Sequence, residues 1–472
     1  MRRLRARRGA ARLLLCVLLS AAGWLAGPAR QRAEQARGND KPAAAPDPAE
    51  VALVREAAHP LTGDPRDYDP LLEMIGDARF VLLGEATHGT REFYRERARI
   101  TRRLIEEKGF TAVVIEADWP HARRVHEYVR GAGADETAER ALSGFARFPR
   151  WMWRNAEFRD FVEWLRAHNG SRPKGSAGVG LYGMDLYSVS ESADEVVEYL
   201  EGVDPDAARR AKKRYGCLGG YRRRLDQYGY EVAVRTKRSC EKDAAAQLEE
   251  MERRLAAWRA RPDRARDDEL FSAYQNARVV RHGEAYYRLL YRQNFSTWNL
   301  RDKHMATTLQ ELSRYEREAG GGRAKLVVWA HNSHQGDARM TERGEAGELN
   351  VGQLMRQFHD GSAVLVGFTT YAGEVIAASE WGAGGRKVKV RPALPESYAA
   401  LFHAAGVPNF LLLMRGGGPH AEALARPRPE RGIGVVYAPR DERRRHYFES
   451  RLSKQFDAVI HWDVTAAVEP LK

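Results

Sequence analysis

Short apolar runs alternate with longer amphipathic stretches from about residue 51 onward. The runs are typical of buried strands, and the stretches between them are typical of helices. One such stretch, 90–108, places Phe93, Ile100 and Leu104 at helical spacing and is followed by Gly109 as a stop signal. The predicted strands are 80–83, 111–115, 179–184, 325–330, 363–368, 410–414 and 434–437. This alternation predicts an α/β fold with a mainly parallel central sheet flanked by helices.

The alternation is interrupted between about 188 and 300, where almost no strand signal occurs. Long, charged, helix-favouring segments at 191–200, 244–260 and 270–292 predict a helical insertion over one edge or end of the sheet. Within it, residues 209–242 hold twelve Lys and Arg against three acidic residues. Such a surface either attracts phosphate groups or is an ordinary solvated helix face, and both interpretations stay open.

The N-terminus has the pattern of a targeting segment. Residues 1–12 are basic and residues 13–29 carry no charge, so residues 1–29 are interpreted as a signal peptide or an uncleaved membrane anchor. Residues 30–50, rich in Ala, Pro and charge, are interpreted as a linker before a folded part at 51–472. We therefore expect a secreted or membrane-anchored protein, or a cytoplasmic one if the start codon is misplaced.

Composition and charge exclude several classes. With 43% hydrophobic and 30% charged residues, the chain is neither a multispan membrane protein nor a disordered one. The formal charge of +13 is local: residues 1–41 carry +8, residues 209–242 carry +9, and the remainder is about −4. We therefore expect no nucleic-acid partner, and membrane contact only through the N-terminal segment.

Cys217 and Cys240 are the cysteines outside the N-terminal segment. They either form a disulfide or are two small buried residues in a helical region. No CxxC pair or Cys/His cluster with zinc-finger spacing occurs, so the sequence does not support a structural zinc site.

Polar clusters follow three of the predicted strands, at 84–90, 116–120 and 331–337. Each alone has a structural explanation, such as a helix cap, a turn acid or a satisfied histidine. The carboxyl ends of parallel strands meet at one edge of a sheet, where ligands bind. Together the clusters therefore predict a site, and Gly84 and Gly89 would let the backbone turn sharply and a ligand approach closely.

His88 is the best candidate for proton transfer, because imidazole ordinarily titrates at about pH 6.5. Glu85 or Glu116 could fix its tautomer and stabilise its charged form. His331 and His334 could bind substrate, stabilise an oxyanion or ligate a metal. Arg97, on the helix that follows His88, would supply a fixed positive charge. No G-x-S-x-G, H-E-x-x-H or G-x-x-x-x-G-K-[ST] motif occurs.

Four segments are similar to the erythromycin esterase family. They are LLGEATHGTREFYRER (82–97), VVIEADWP (113–120), WAHNSHQGD (329–337) and NVGQLMR (350–356). The resemblance, which covers about 51–465, implies an α/β fold with a helical lobe and a cleft in which esters or lactones are hydrolysed. It also implies a mechanism without metal or other cofactor, built on a histidine general base.

The resemblance implies catalytic roles for Glu85, His88, Arg97, Glu116, His331 and His334, with His88 as the water-activating base. Asp185 and Arg301 lie in similar segments and, with Trp119 and Asn332, are predicted to bind substrate. The N-terminal segment departs from the family, because members that inactivate macrolide antibiotics generally look cytoplasmic. We therefore expect hydrolysis of an ester or lactone, with macrolides as one possible substrate.

Two alternatives remain open at the level of sequence. His88, His331, His334 and a carboxylate are enough ligands for a catalytic divalent metal with an open position. The chain could instead be an exported binding protein without turnover, in which Trp119, Trp151, Trp153 and Trp298 form a stacking surface for carbohydrate or lipid.

Overall fold

Helical structure is present before residue 51, at which the sequence predicts the folded part to start. In this computed structural model the described residues are 45–173, 178–222, 224–235, 237–262, 265–293, 296–320, 322 and 324–471. Helix α1 (Pro48–Ala57) starts inside the predicted linker, because Asp47 Oδ1 accepts a hydrogen bond from Ala49 N and Val54 is fully buried. The predicted leader, 1–29, and the linker up to residue 44 lie outside the described residues. In the described part, no helix is both long and apolar enough to cross a bilayer.

Eleven strands are present in the described part of the chain. They are β1 (His59–Pro60), β2 (Phe80–Leu83), β3 (Ala112–Asp118), β4 (Gly180–Asp185), β5 (Leu326–Trp329), β6 (Ala363–Ala377), β7 (Arg386–Val390), β8 (Asn409–Leu413), β9 (Arg428–Arg431), β10 (Tyr447–Ser450) and β11 (Ala458–Thr465).

Helices α2–α19 follow α1 along the chain. They are α2 (Asp69–Ile75), α3 (Arg91–Lys108), α4 (Trp119–Val129), α5 (Ala138–Leu142), α6 (Ala156–Gly170), α7 (Val189–Val203), α8 (Pro205–Tyr215), α9 (Leu225–Val234), α10 (Glu241–Arg259), α11 (Asp268–Leu289), α12 (Thr297–Gly320), α13 (Asn332–Gln335), α14 (Glu342–Glu345), α15 (Val351–Phe358), α16 (Tyr398–Ala404), α17 (Pro419–Ala423), α18 (Glu442–His446) and α19 (Leu452–Gln455).

The main sheet has the order β1-β8-β11-β6-β2-β5-β3-β4, and β7 pairs with β6. The six strands from β11 to β4 are parallel. At one edge β8 pairs antiparallel with β11 and β1 pairs antiparallel with β8, whereas β7 pairs antiparallel with the end of β6. The four residues of β2 are all fully buried, because helices cover both faces of the sheet. The predicted α/β class, with a mainly parallel sheet, is confirmed.

One predicted strand is wrong. Residues 434–437 form no strand, and Val436 makes only an isolated bridge to Ala378. Ile433 and Tyr437 instead pack onto the hairpin of β6 and β7, so their hydrophobicity comes from a small separate core. The sequence pattern also missed β11, because His461 and Asp463 interrupt its apolar run.

The described residues between β4 and β5 form helices and turns but no strand, and they make up the helical lobe, α7–α12. Cys217 and Cys240 are joined by a disulfide across this lobe, with their Cα atoms 5.9 Å apart. The lobe packs against the face of the sheet that carries Phe80 and Leu82, whereas Val81 and Leu83 face the other hydrophobic core. Arg301 of α12 contacts Glu116 and Asp185, so the lobe also reaches the carboxyl ends of β3 and β4.

Candidate active site

The ends of four neighbouring strands bring the predicted polar clusters together. Glu85 follows β2, Glu116 lies near the end of β3, Asp185 ends β4, and His331 follows β5. The pairing of β3 with β4 is irregular between Ile115 and Asp118, so the ladder is interrupted at Glu116. Each of the four polar side chains is at least nine-tenths buried.

His88 and Glu85 form a direct pair in the turn after β2. The Nδ1 atom of His88 lies 2.8 Å from Glu85 Oε1, and both side chains are buried. A carboxylate can only accept a hydrogen bond, so it holds the proton on Nδ1 and leaves Nε2 with a lone pair. Nε2 has no hydrogen-bond partner within the part of the chain that the structure describes. The pair therefore has the tautomer that a general base requires.

Arg97 lies behind this pair and away from the cleft. Its side chain is fully buried, and its Nη2 donates to Glu85 Oε2 over 2.6 Å. The guanidinium also lies over the rings of Tyr94 and Trp329, at 4.5 and 5.0 Å. This placement suits a group that orients Glu85, and not one that contacts a substrate directly.

A second cluster is centred on Arg301 from α12. Arg301 donates to both oxygens of Asp185, over 2.9 and 2.6 Å, and to Glu116 Oε1 over 2.8 Å. The other oxygen of Glu116 accepts a hydrogen bond from His331 N over 2.9 Å. Arg301 and Asp185 thereby link the lobe to the ends of β3 and β4. The structure places Arg301, which is partly exposed, in an ion-pair network with two buried carboxylates.

His334 lies between two carboxylates. Its Nδ1 is 2.9 Å from Asp302 Oδ1, and its Nε2 is 3.3 Å from Glu116 Oε1 and 3.1 Å from Arg301 Nη1. The ring of Trp298 stacks on the imidazole with 4.4 Å between centroids and 8° between planes. Burial disfavours the charged imidazole, but Asp302 and Glu116 outweigh it and raise the pKa of His334 to about 9.

His331 has a different protonation state from His334, although the two are only three residues apart. Its Nδ1 accepts a hydrogen bond from Ser333 N at the start of α13, so the proton lies on Nε2, which donates to Ala86 O over 3.2 Å. Burial, followed by the nearby His88, holds the pKa of His331 well below its ordinary value. Its ring centroid is 4.9 Å from that of His88. His331 is therefore a neutral donor beside the proposed base.

The carboxylate of Glu116 is ionised despite its burial. Burial would raise its pKa, but the positive charges of His334 and Arg301 hold the pKa of Glu116 well below its usual range. The charged imidazole of His334 therefore lies beside the charged carboxylate of Glu116. Two histidines of one short segment, His331 and His334, are tuned in opposite directions.

Two residues predicted to bind substrate have structural contacts instead. Trp119 is buried between the sheet and the lobe, where it stacks on Tyr182 and its Nε1 donates to Ser272 Oγ over 3.0 Å. Both ends of the Asn332 amide bond to the backbone of Phe368. These contacts correct the expectation that either side chain faces a ligand. Trp151 and Trp153 are also buried, so they form no open stacking surface with Trp119.

Gly84 and Gly89 allow close packing of protein on protein. A Cβ atom at Gly84 would collide with Asn332 Oδ1 and would lie 3.1 Å from Val366 O. One at Gly89 would collide with the backbone of Ile376. Neither glycine has a positive φ. Their role is to bring the turn after β2 against β6 and α13.

The sequence did not single out Asp302 or Tyr187. Asp302 accepts from Val351 N as well as from His334, and Tyr187 lies between the guanidinium groups of Arg147 and Arg301, each 5.0 Å from its ring. The one available signal for Asp302 was its position directly after Arg301, which the sequence had predicted to bind substrate. In the described residues, no group of three or more His, Cys, Asp or Glu side chains is arranged to hold a metal ion.

Comparisons with known proteins agree with this architecture. The family model for erythromycin esterase matches residues 105–465. Erythromycin esterase type II from Escherichia coli is 33% identical over 103 residues, which span 22% of this chain and only 23% of that relative. The putative hydrolase YbfO from Bacillus subtilis (strain 168) is 20% identical over 419 residues, or 84% of this chain and 85% of YbfO.

A solved structure shares the fold. It is a mutant of the erythromycin esterase EreC in its open conformation, with a TM-score of 0.60 and 17% identity, covering 86% of this chain and 95% of EreC. At that identity the likeness shows the fold alone. The family model, in contrast, covers most of the chain, including the segments that carry Glu116, Asp185, Arg301, His331 and His334. The chain belongs to the erythromycin esterase family.

Proposed function

We propose that this chain is a hydrolase that opens a carboxylic ester or lactone by direct attack of water, with His88 as the general base. Membership of the erythromycin esterase family and similarity to a hydrolase support the reaction class. The observation that carries the proposal is the buried series Arg97–Glu85–His88, which ends at the unpartnered Nε2 of His88. No bound metal or other cofactor is required.

In the first step His88 Nε2 takes a proton from water, and the resulting hydroxide forms a bond to the carbonyl carbon. Glu85 stabilises the imidazolium through Nδ1, and the ion pair with Arg97 keeps the Glu85 carboxylate in place. General-base catalysis of this kind typically contributes about 100- to 10,000-fold.

The carbonyl oxygen becomes an oxyanion and needs a hydrogen-bond donor. His334, whose pKa is raised to about 9, supplies a positive charge near neutral pH, and His331 supplies the N–H of its Nε2 by exchanging its present acceptor, Ala86 O, for the oxyanion. A donor of this kind in a buried site typically accounts for about 100- to 1,000-fold in turnover. Arg301 holds the carboxylates of Glu116 and Asp185 beside these two histidines.

The tetrahedral intermediate then collapses. The bond from carbon to the alkoxide oxygen breaks, and the imidazolium of His88 returns its proton to the leaving alkoxide. The products are one alcohol and one carboxylic acid, which releases its proton to solvent and becomes a carboxylate, or a single hydroxy acid when the substrate is a lactone. Macrolide lactones belong in the range of candidate substrates because the resemblance to the family implies them.

The test is to incubate the purified chain with a panel of carboxylic esters and lactones, macrolides included, and to search for products heavier by one water. Once a substrate is found, His88→Asn should lower kcat by about 100- to 10,000-fold. His403→Asn is the matched control, because His403 is a partly exposed histidine of α16 that is likewise paired with a carboxylate, Asp463, and is no member of the described cluster. Full turnover by His88→Asn would overturn the role of His88.

The same assay tests the two alternatives. Activity should survive extensive chelation, and loss of activity that zinc or manganese restores would favour a metal-dependent hydrolase. Tight binding across the panel with no product would favour a binding protein without turnover.

A further inference from the structure

Basic residues of the helical lobe meet at one groove. Five of the eleven residues of α8 are Arg or Lys, and Arg253 and Arg254 are neighbours on α10. The groove is open to solvent, has a volume of about 420 Å³ and is lined by residues of these two helices, namely Arg210, Arg214, Glu250, Arg253, Arg254 and Ala257. Four arginines and one glutamate therefore give its lining a formal charge of +3.

Glu250 fixes two of these arginines without neutralising the groove. Its side chain is largely buried, and it accepts hydrogen bonds from Arg210 over 2.7 Å and from Arg214 over 2.5 Å. Burial would raise the pKa of Glu250, but these two arginines hold that pKa below its usual value, so the carboxylate is ionised. Each guanidinium uses a single nitrogen in its bond to Glu250, and the other N–H groups remain available to a ligand.

The two arginines of α10 differ in their partners. Arg254 donates to Asp204 Oδ2 at the start of α8 over 2.5 Å, whereas Arg253 is exposed and forms no ion pair with any residue that the structure describes. With Asp204 counted, the groove still carries a formal charge of +2. Positive charges held this close together repel one another, and an anion bound between them would remove that cost.

We propose that this groove binds a small molecule that carries a diphosphate group. Guanidinium groups pair with phosphate oxygens through two parallel N–H bonds, which supply both charge and geometry. The volume of the groove lies within the range of small-molecule sites, about 300–1,000 Å³, and exceeds what a single phosphate ion needs. Two linked phosphates also carry enough negative charge to compensate the groove, whereas one carboxylate does not.

The groove is separate from the candidate active site. All of its lining residues belong to α8 and α10, and none belongs to the clusters around His88, Arg301 or His334. Of the two interpretations of the basic stretch 209–242, the groove favours the one in which part of it attracts phosphate groups. The proposal does not depend on the hydrolysis of an ester, because binding is measured without turnover.

The experiment is calorimetric titration of the full chain with inorganic pyrophosphate, in buffer free of magnesium and at constant ionic strength. Pyrophosphate should bind about 10-fold or more tightly than orthophosphate or citrate, because it alone presents two phosphates to the arginines. Arg253→Glu should weaken pyrophosphate binding by about 10-fold or more. Arg386→Glu is the matched control, since it makes the same change of charge at an exposed arginine of β7 and should keep the affinity within about twofold.

A second arm separates a soluble ligand from a lipid headgroup. The chain is sedimented with phosphatidylcholine vesicles that contain phosphatidylglycerol, and binding to them without binding of pyrophosphate would overturn the proposal. Equal affinities for pyrophosphate and citrate would also overturn it, as would equal weakening by Arg253→Glu and Arg386→Glu, because both results reflect net charge alone. Absence of binding by any of the three anions would leave the basic stretch as a solvated helix face.

Discussion

At the scale of single residues, the site depends on how two carboxylates act on His334. Asp302 contacts Nδ1 at 2.9 Å and Glu116 lies 3.3 Å from Nε2, so the imidazolium is stabilised from both sides. Since its pKa of about 9 exceeds the ordinary 6.5, His334 contributes stability that is complete below about pH 6.5. That contribution is lost as the pH rises through about 9. The same ionisation would end the supply of positive charge to an oxyanion.

Asp302→Asn should therefore narrow the pH range of activity. Asn keeps an acceptor for Val351 N but removes the charge, which should lower the pKa of His334 by about 1 to 3. The upper limb of the pH profile of kcat/KM should move from near 9 toward neutral pH, with a loss at pH 8.5 that runs from about 3-fold for a shift of 1 to about 200-fold for a shift of 3. NMR titration of His334 measures the shift directly. Asp360→Asn, at an exposed position, is the control.

An unchanged upper limb in Asp302→Asn, together with an unchanged titration of His334, would show that this carboxylate does not set the charge of the ring.

Sequence reasoning at this scale identified the residues that strand ends bring together. Glu85, His88, Glu116, His331 and His334 all lie near one another because they follow neighbouring parallel strands. It could not identify the residues that depend on tertiary contacts. Asp302 looks like any polar residue of a charged helix until α12 packs beside α13 and α15. Trp119 follows a strand end as well, yet its large apolar ring is buried in the core.

At the scale of elements, the position of α13 depends on Gly84. The turn after β2 approaches α13 so closely that a Cβ at residue 84 would collide with Asn332 Oδ1. Asn332 is fixed in turn by two hydrogen bonds to Phe368 of β6. The contact between Gly84 and Asn332 therefore sets how near His88 lies to His331.

Gly84→Ala should lower the free energy of unfolding by about 1–3 kcal/mol, the usual cost of adding volume to a packed site. Gly170→Ala is the matched control, because nothing lies within 4 Å of a Cβ atom there and its φ is not positive. Urea denaturation of both variants measures the difference. Equal stability of Gly84→Ala and the parent chain would show that Asn332 moves freely, contrary to its role as a fixed link.

The sequence predicted the strands that are completely buried. It missed β11, which carries polar residues, and the extension of β6 that pairs with β7. The runs at 80–83 and 363–368 are strands because helices cover both faces there. Strand β6 continues to Ala377, beyond the predicted end, because β7 pairs with its extension. The run at 434–437 is apolar because it packs on that extension, without joining the ladder.

At the scale of the whole molecule, the helical lobe is closed by the disulfide between Cys217 and Cys240. Cross-links of this kind typically contribute about 2–4 kcal/mol by restricting the unfolded chain. A reducing agent should therefore lower the free energy of unfolding by about 2–4 kcal/mol. This loss is seen as a lower urea midpoint of the folded chain. The double variant Cys217→Ser/Cys240→Ser should show the lower midpoint in both conditions. Insensitivity of the parent chain to reductant, with both thiols reactive after unfolding, would contradict the pairing.

The sequence predicted the division into sheet and lobe. Helices α7–α11 lie within the charged, strand-free stretch at about 188–300, and α12 begins at its end. The sequence left the cysteine pairing open, because two thiols 23 residues apart can be bonded or merely buried. It also assigned residues 48–50 to the linker, because an Ala- and Pro-containing segment gave no sign that a helix starts at Pro48 and buries Glu50.

The central claim is that Glu85 and His88 act as one unit that removes a proton from water. The most direct measurement is a double-mutant cycle of kcat on a confirmed substrate, with Glu85→Gln, His88→Asn and the pair together. Because Glu85 acts through His88, the double variant should be no slower than His88→Asn, within about threefold. If the two losses multiply, or if His88→Asn keeps the turnover of the parent chain, the two side chains do not form the catalytic base.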